Sequence, residues 1–306
     1  MVNKLAIIVL NYNKADLVER CLTSLLPHVD ESVEVIVVDN GSSDNSVELV
    51  KKFKIKNSKL KIHLIENQEN LGFTGGNNAG INYALVKGFD YIMLLNNDVL
   101  IENSFWRPMV DYLEKNPQIG VLGPKIYFAS GFEFHHDKYS ENERGKVIWY
   151  AGGQIDWNNV YPSHRGVDEV DTGQYDQISE TEFATGCCIL ATSEIWEKIG
   201  GLDDRYYLYY EDVDFCLKVR EMGLKVIYFP QAAIWHMNAG SSQSGGSLQD
   251  YYSTRNRMLF GMRWAPLRAK AALMRESLKL ILTGRKWQKI GIKDYYLGRF
   301  GRGSWR

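Results

Sequence analysis

Four times in its first hundred residues the chain runs through a short apolar stretch and stops at a cluster of Asn, Asp or Gly. Leu5 to Leu10 stops at Asn11-Tyr12-Asn13, and Val33 to Val38 at Asp39-Asn40-Gly41-Ser42-Ser43-Asp44. Ile62 to Ile65 leads to a glycine-rich stretch from Asn67 to Gly80, and Tyr91 to Leu95 stops at Asn96-Asn97-Asp98. Continuous apolar runs of this length fit strands covered on both faces. Between them Leu17, Cys21, Leu22 and Leu25, then Val47 and Val50, fall at helical spacing, and a helix is expected near Ala79 to Val86. The alternation predicts an α/β fold with a mostly parallel, doubly wound sheet flanked by helices. Such sheets bind ligands beyond the carboxyl ends of their strands, where all these polar clusters fall.

The rest of the chain is less regular. From about Phe128 to Glu182 it is polar, aromatic and without period, which predicts long loops with short strands. Thr185 to Thr192 reads as a strand, Ile195 to Ile199 as a short helix stopped by Gly200-Gly201, and Glu211 to Met222 as a helix stopped by Gly223. Val226 to Phe229 reads as a further strand.

Hydrophobic residues make up 45% and charged residues 24% of the chain, as in ordinary globular domains. A formal net charge of −1 offers no global field for nucleic acid. The charge is uneven, however. Leu267 to Arg306 carries eleven Lys or Arg against Glu276 and Asp294, a net of +9 that leaves −10 for the first 266 residues. Cys21, Cys187, Cys188 and Cys216 form no C-x-x-C pair, so they read as buried, reduced thiols of a cytoplasmic protein. No apolar segment is long enough to cross a bilayer.

Asp98 ends the fourth run, where one carboxylate can hold a hard divalent cation, Mg2+ or Mn2+, together with substrate phosphates. A plain turn is the alternative. Asp39 can accept from a base imide or a ribose hydroxyl, since Ser42 or Asp44 can cap the next helix. The stretch Asn70 to Asn78 is not G-x-G-x-x-G and has no G-K-[ST] end, which disfavours a Rossmann dinucleotide site and a P-loop. Its glycines let backbone approach a ligand, and its Asn side chains supply donors and acceptors. Tyr209-Tyr210-Glu211-Asp212-Val213-Asp214 opens a helix, and a carboxylate there can act as general base toward an acceptor hydroxyl. The helix N-terminus lowers such a pKa, while burial among Tyr207, Tyr209 and Tyr210 raises it. Helix capping is the alternative role. His236 suits a second metal ligand or a structural hydrogen bond. Arg255 and Arg257 point to different faces of a helix, one able to meet phosphate and the other a carboxylate, with surface ion pairing as the alternative.

These motifs stand in a familiar order. Ile7 to Asn13, Val37 to Asp44, Glu66-Asn67 with Asn70 to Phe73, and Asn77 to Gly80 are followed by Leu94-Leu95-Asn96-Asn97-Asp98. Thr185-Gly186, Gly200-Gly201-Leu202-Asp203, Glu211-Asp212-Val213-Asp214, His236 with Gly240-Ser241, and Tyr251-Tyr252 with Arg255-Asn256 complete the set. Over about residues 5 to 260 the chain resembles the family 2 glycosyltransferases of the GT-A fold, above all their rhamnosyltransferase-like bacterial members. The resemblance implies inverting transfer of a sugar, rhamnose first, from a dTDP- or UDP-sugar to a hydroxyl of a glycan or lipid-linked acceptor. It implies that Asp39, with Leu10, Asn11, Tyr12, Asn67, Gly72, Asn78, Asn96 and Asn97, binds the nucleotide. Asp98 and His236 would meet the cation or diphosphate, and Asp212, beside Glu211, would remove the acceptor proton. Gly186, Arg255 and Arg257 would face acceptor or phosphate. Residues 1–98 would form a nucleotide-sugar-binding half, 99–266 an acceptor-binding and catalytic half, and 267–306 a basic amphipathic helical tail. Asn96 replaces the first acid of the family's D-x-D, which removes one carboxylate from the cation. The Q-x-x-R-W of processive synthases is incomplete, with Phe260 ahead of Arg263-Trp264.

In the tail, Leu267, Ala271, Met274, Leu278 and Ile281 recur at helical spacing, with Arg268, Arg275 and Lys279 off the stripe. Arg285, Lys286, Lys289 and Lys293 follow, near Trp287, Tyr295 and Tyr296. The pattern fits a helix lying on an anionic membrane surface, which would make the protein peripheral to the inner face of the cell membrane. Packing on the domain and a homodimer contact are the alternatives. Two rival activities fit less well. A nucleotidyltransferase needs a basic glycine-rich loop near the N-terminus, and Leu10 to Asp16 is not one. A non-catalytic nucleotide-sugar-binding protein has no need of Asp39, Asp98 and Asp212 together.

Overall fold

The computed structural model describes residues 4–57, 61–238 and 246–305. β1 (Leu5–Asn11), β2 (Val33–Asp39), β3 (Lys61–Glu66) and β4 (Tyr91–Asn96) are parallel and lie in the order β3-β2-β1-β4. α1 (Ala15–Leu25), α2 (Ser46–Lys56) and α3 (Gly72–Val86) connect them. After β5 (Val99–Leu100), α4 (Trp106–Lys115) leads into the long β6 (Ile119–Phe128). The 128–182 region holds one 3-10 turn (His136–Lys138) and the short strands β7 (Ile148–Tyr150), β8 (Gly153–Asp156), β9 (Tyr161–His164) and β10 (Ser179–Glu180), with long loops between them as its composition predicts. β11 (Cys188–Thr192), α5 (Ser193–Ile199), α6 (Glu211–Glu221) and β12 (Lys225–His236) follow, and the sheet continues past β4 as β11-β6-β12-β10. α7 (Ser247–Trp264), α8 (Leu267–Thr283) and α9 (Lys286–Tyr296) end the chain.

The apolar runs are continuous because both sheet faces are covered. Successive side chains of a strand point to opposite faces. Leu5, Ile7 and Val9 share a core with Val18 and Leu22 of α1, Val50 of α2 and Met109 of α4. Ala6 and Ile8 share the opposite core with Ile81 of α3, Trp196 of α5 and Phe215 of α6. All four cysteines are buried and free, Cys21 and Cys187 in the first core region and Cys216 in the second.

Parallel pairing prevails in the first half, whereas β11 runs antiparallel to β4. It starts where β4 ends, and Asn96 N donates to Cys187 O at 2.9 Å. That junction carries Gly186 and Cys187 to the carboxyl edge of the parallel strands. It also runs one sheet through both residues 1–98 and residues 99–266.

Two elements differ from the sequence reading. The Asn67–Gly80 stretch is a loop only to Leu71, and α3 starts at Gly72. Its glycines serve close helix–sheet packing: a Cβ on Gly80 would stand 2.6 Å from Ile8 Cγ2, and one on Gly76 would overlap Leu10. The strand beginning near Val226 does not stop at Phe229. Pro230 marks a register irregularity between Phe229 and Ala233, after which β12 continues beside β6 to His236.

Candidate active site

The parallel register sets the first side chains side by side. Asn11 of β1 lies opposite Asp39 of β2, and Leu10 opposite Asn96 of β4. Asn11 Nδ2 donates to Asp39 Oδ2 at 3.3 Å, and Asn97 Nδ2 donates to Asn11 Oδ1 at 2.7 Å. The Ser42 amide donates to Asp39 Oδ1, while Asp44 accepts from the amide of Ser46, the first residue of α2. The first amide of α2 is thus served by Asp44, ahead of the Asn45 cap, and each Asp39 oxygen keeps a lone pair for a further donor. Tyr12 is exposed beside them.

Asn40, quoted above only as part of a motif, is the organiser of the next loop. Buried, it donates through Nδ2 to Asn70 Oδ1 and Gly72 O, and its Oδ1 accepts from Asn67 Nδ2 and the Leu71 amide. Asn67 and Gly72 thus stand at the same edge as Asp39. Asn78 does not: its side chain donates to Leu202 O and Asp204 Oδ1 and accepts from the Leu202 amide, clamping that turn to α3. The nucleotide role expected for Asn78 gives way to this clamp.

Asp98 follows β4, and β12 returns His236 to it. His236 Nε2 lies 3.1 Å from Asp98 Oδ1. The imidazole is buried and its Nδ1 has no hydrogen-bond partner. Trp149 packs on it with ring centroids 4.5 Å apart, and His164 packs on Trp149 at 4.4 Å. Burial pushes the His164 pKa down to about 4, so that ring is neutral. Sequence reasoning missed Trp149 and His164 because they sit in the aperiodic region. One carboxylate and one neutral-capable imidazole fit a divalent cation that takes its other ligands from phosphate and water. Among the described residues no group of three or more His, Cys, Asp or Glu could hold a metal alone. The Gly240-Ser241 part of the motif lies outside the described residues.

Asp212 reaches the same edge through β11. The Gly186 amide donates to Asp212 Oδ2 and the Val213 amide to Oδ1, each at 2.8 Å. Gly186 is closely surrounded: a Cβ there would stand 3.1 Å from the tip of the Phe73 ring, which would have to give by a few tenths of an ångström. Enclosure by protein raises the Asp212 pKa, against the pull of these amides. Glu211 is buried, Oε2 has no partner, and burial followed by the charge of Asp212 raises its pKa strongly. Burial has outweighed the helix N-terminus for both groups.

The segment before α6 is held from behind. Tyr207, Tyr209 and Tyr210 have φ of 66°, 72° and 74°, a region that costs a non-glycine residue about 1–3 kcal/mol. Asn256 Nδ2 donates to Tyr206 O, Leu208 O and Tyr209 O. Arg255 is fully buried, and its guanidinium donates to the carbonyls of Arg205, Tyr206 and Gly301. In turn, Tyr207 O accepts from Phe73 N and Thr74 N at the start of α3. Arg255 thus organises backbone instead of meeting phosphate. Arg257 donates to Glu276 and to Asn159 O, the ion-pair alternative.

Sheet order and the returning β11 are those of the GT-A fold of glycosyltransferases. The mannosyltransferase PcManGT from Pyrobaculum calidifontis, solved in complex with GDP-Man and Mn2+, has this fold. It matches 97% of this chain and 75% of its own, with a TM-score of 0.57 and 17% identity. The family profile described as glycosyl transferase family 2 matches residues 6–168, and the chain belongs to that family. It is 24% identical over 261 residues to the low-salt glycan biosynthesis hexosyltransferase Agl10 of Haloferax volcanii, covering 85% of this chain and 76% of that protein. It is also 24% identical over 261 residues to the N-acetylglucosaminyl-diphospho-decaprenol L-rhamnosyltransferase of Mycobacterium tuberculosis, covering 79% of this chain and 78% of the other.

Proposed function

We propose that the protein transfers a sugar from a nucleotide-diphosphate donor to an acceptor hydroxyl by a single, inverting displacement with Asp212 as general base. The observation that carries this reading is the unequal pair at the start of α6. Glu211 has an oxygen with no donor, whereas two amides serve Asp212. Two adjacent carboxylates in one enclosed place do not ionise together. The proton belongs on Glu211 and the negative charge on Asp212, which keeps part of its surface open to solvent.

Ionised Asp212 accepts the acceptor proton while the acceptor oxygen bonds to the anomeric carbon. The bond from that carbon to the diphosphate oxygen breaks on the opposite side, and the nucleoside diphosphate leaves with the electron pair. Asp39 and the Asn40-ordered loop would bind the nucleotide. Asp98 and His236 would hold Mg2+ or Mn2+, which when bound supplies neutralisation of the leaving diphosphate. A rhamnose donor and a lipid-linked acceptor are supported by what the mycobacterial relative is named for. A dTDP nucleotide goes with rhamnose, and UDP is the second choice. Asp212→Asn should lower transfer by roughly 10²- to 10⁴-fold while leaving nucleotide affinity within about twofold. Calorimetric titration beside a turnover assay measures both, and undiminished transfer removes Asp212 from the role.

A further inference from the structure

We propose that α8 docks the protein flat against an anionic lipid bilayer. The helix has two opposed faces. Ala269, Leu273 and Ser277 are buried against the domain, and the Arg257–Glu276 and Ser277–Tyr296 contacts tie this face to α7 and α9. On the other side Leu267, Met274, Leu278 and Leu282 are 84%, 48%, 61% and 76% exposed. Exposed Ala271 completes the row. These positions fall on one side of a helix and form a stripe about 22 Å long. A continuous row of large exposed apolar side chains marks an interaction surface, unlike scattered single ones. Of the stripe read from sequence, Ile281 packs against the domain, whereas Leu267, Ala271, Met274 and Leu278 face away from it and Leu282 extends their row.

Charge identifies the occupant. Arg268, Arg275 and Lys279 are exposed along one border of the stripe, and Lys270 lies on the other. Lys286 and Lys293 are exposed on α9. The acids of the tail do not offset them: Glu276 is paired with Arg257, and Asp294 is buried, accepting from Tyr251 and Ser304. A second copy of the same face would bring like charges together, whereas an anionic leaflet attracts them. Among the described residues no helix is long and apolar enough to cross a membrane, so the helix lies in the interface plane. This inference stands apart from the transfer chemistry, because vesicle binding needs neither donor nor turnover.

Flotation of the full chain with phosphatidylcholine vesicles, alone or mixed with phosphatidylglycerol, tests it. The expected result is at least about tenfold stronger binding to the mixed vesicles, weakening as salt rises. Met274→Glu/Leu278→Glu should lower that binding by about tenfold, and so should Arg268→Gln/Arg275→Gln/Lys279→Gln. Both variants alter solvent-facing positions, so Tm and transfer to a water-soluble acceptor should be unchanged. Absence of flotation, or equal flotation of wild type and both variants, overturns the proposal. So does a wild-type dimer, seen by light scattering, that Met274→Glu/Leu278→Glu dissociates.

Discussion

Glu211 and Asp212 are neighbours in sequence with unequal surroundings, and the difference is measurable through pH. Burial raises both pKa values above the roughly 4 of an unfolded carboxylate. The folded chain therefore holds these protons more tightly than the unfolded chain. Their stabilising effect is complete below the ordinary carboxylate range and is lost as pH rises through it toward the folded pKa. Glu211→Gln removes that loss. Its Tm should match wild type near pH 4 and exceed it at neutral pH, by about 1–2 kcal/mol in stability. Thermal unfolding followed across pH measures this, and a variant less stable than wild type at pH 7 contradicts it. At this scale Asp39, Asp98 and Asp212 were legible in the sequence as candidates, since acids at strand and helix ends are visible one residue at a time. Trp149 and Asn40 were not visible as site residues, because their roles come from what folds against them: His236 for one, the Asn67–Gly72 loop for the other.

At the scale of elements, α7 works as a brace for the loop that precedes α6. Three tyrosines in left-handed backbone persist there because Asn256 satisfies the carbonyls of Tyr206, Leu208 and Tyr209, while Arg255 shares that of Tyr206 and adds that of Arg205. Asn256→Ala leaves the carbonyls of Leu208 and Tyr209 without this donor, Tyr206 O keeping Arg255, and should cost about 2–4 kcal/mol of stability. It should also lower kcat, since the loop positions Asp212 and, through Tyr207, the start of α3. Chemical denaturation with parallel kinetics reads both, and a fully stable, fully active variant contradicts the brace. The strands of the first hundred residues and several helices were legible from periodicity, whereas α4 and the central β6 were not read from the sequence. The start of α3 was not, since glycine signals a loop until the approach of Ile8 and Leu10 is known. The end of β12 was hidden by Pro230, which the strand passes with an irregular register.

At the scale of the whole molecule, one sheet joins acids far apart in sequence. Asp39 ends β2, Asp98 follows β4 with His236 of β12 beside it, and Asp212 arrives through the Gly186 turn into β11. The alternating first half was readable as α/β. The antiparallel return of β11 was not, because strand direction is set by long-range pairing and leaves no local periodicity. The uneven charge was readable as well, and the structure gives it a place along the outward side of the last helices. The central claim is that these carboxylates surround one site for a cation-bound diphosphate. Its most direct test is an anomalous difference map at the manganese edge, from crystals grown with Mn2+ and a nucleoside diphosphate. The account predicts a single strong peak within coordination distance of Asp98, with diphosphate oxygens completing the ligand set. A nucleotide bound elsewhere, or a manganese peak remote from Asp98, would contradict it.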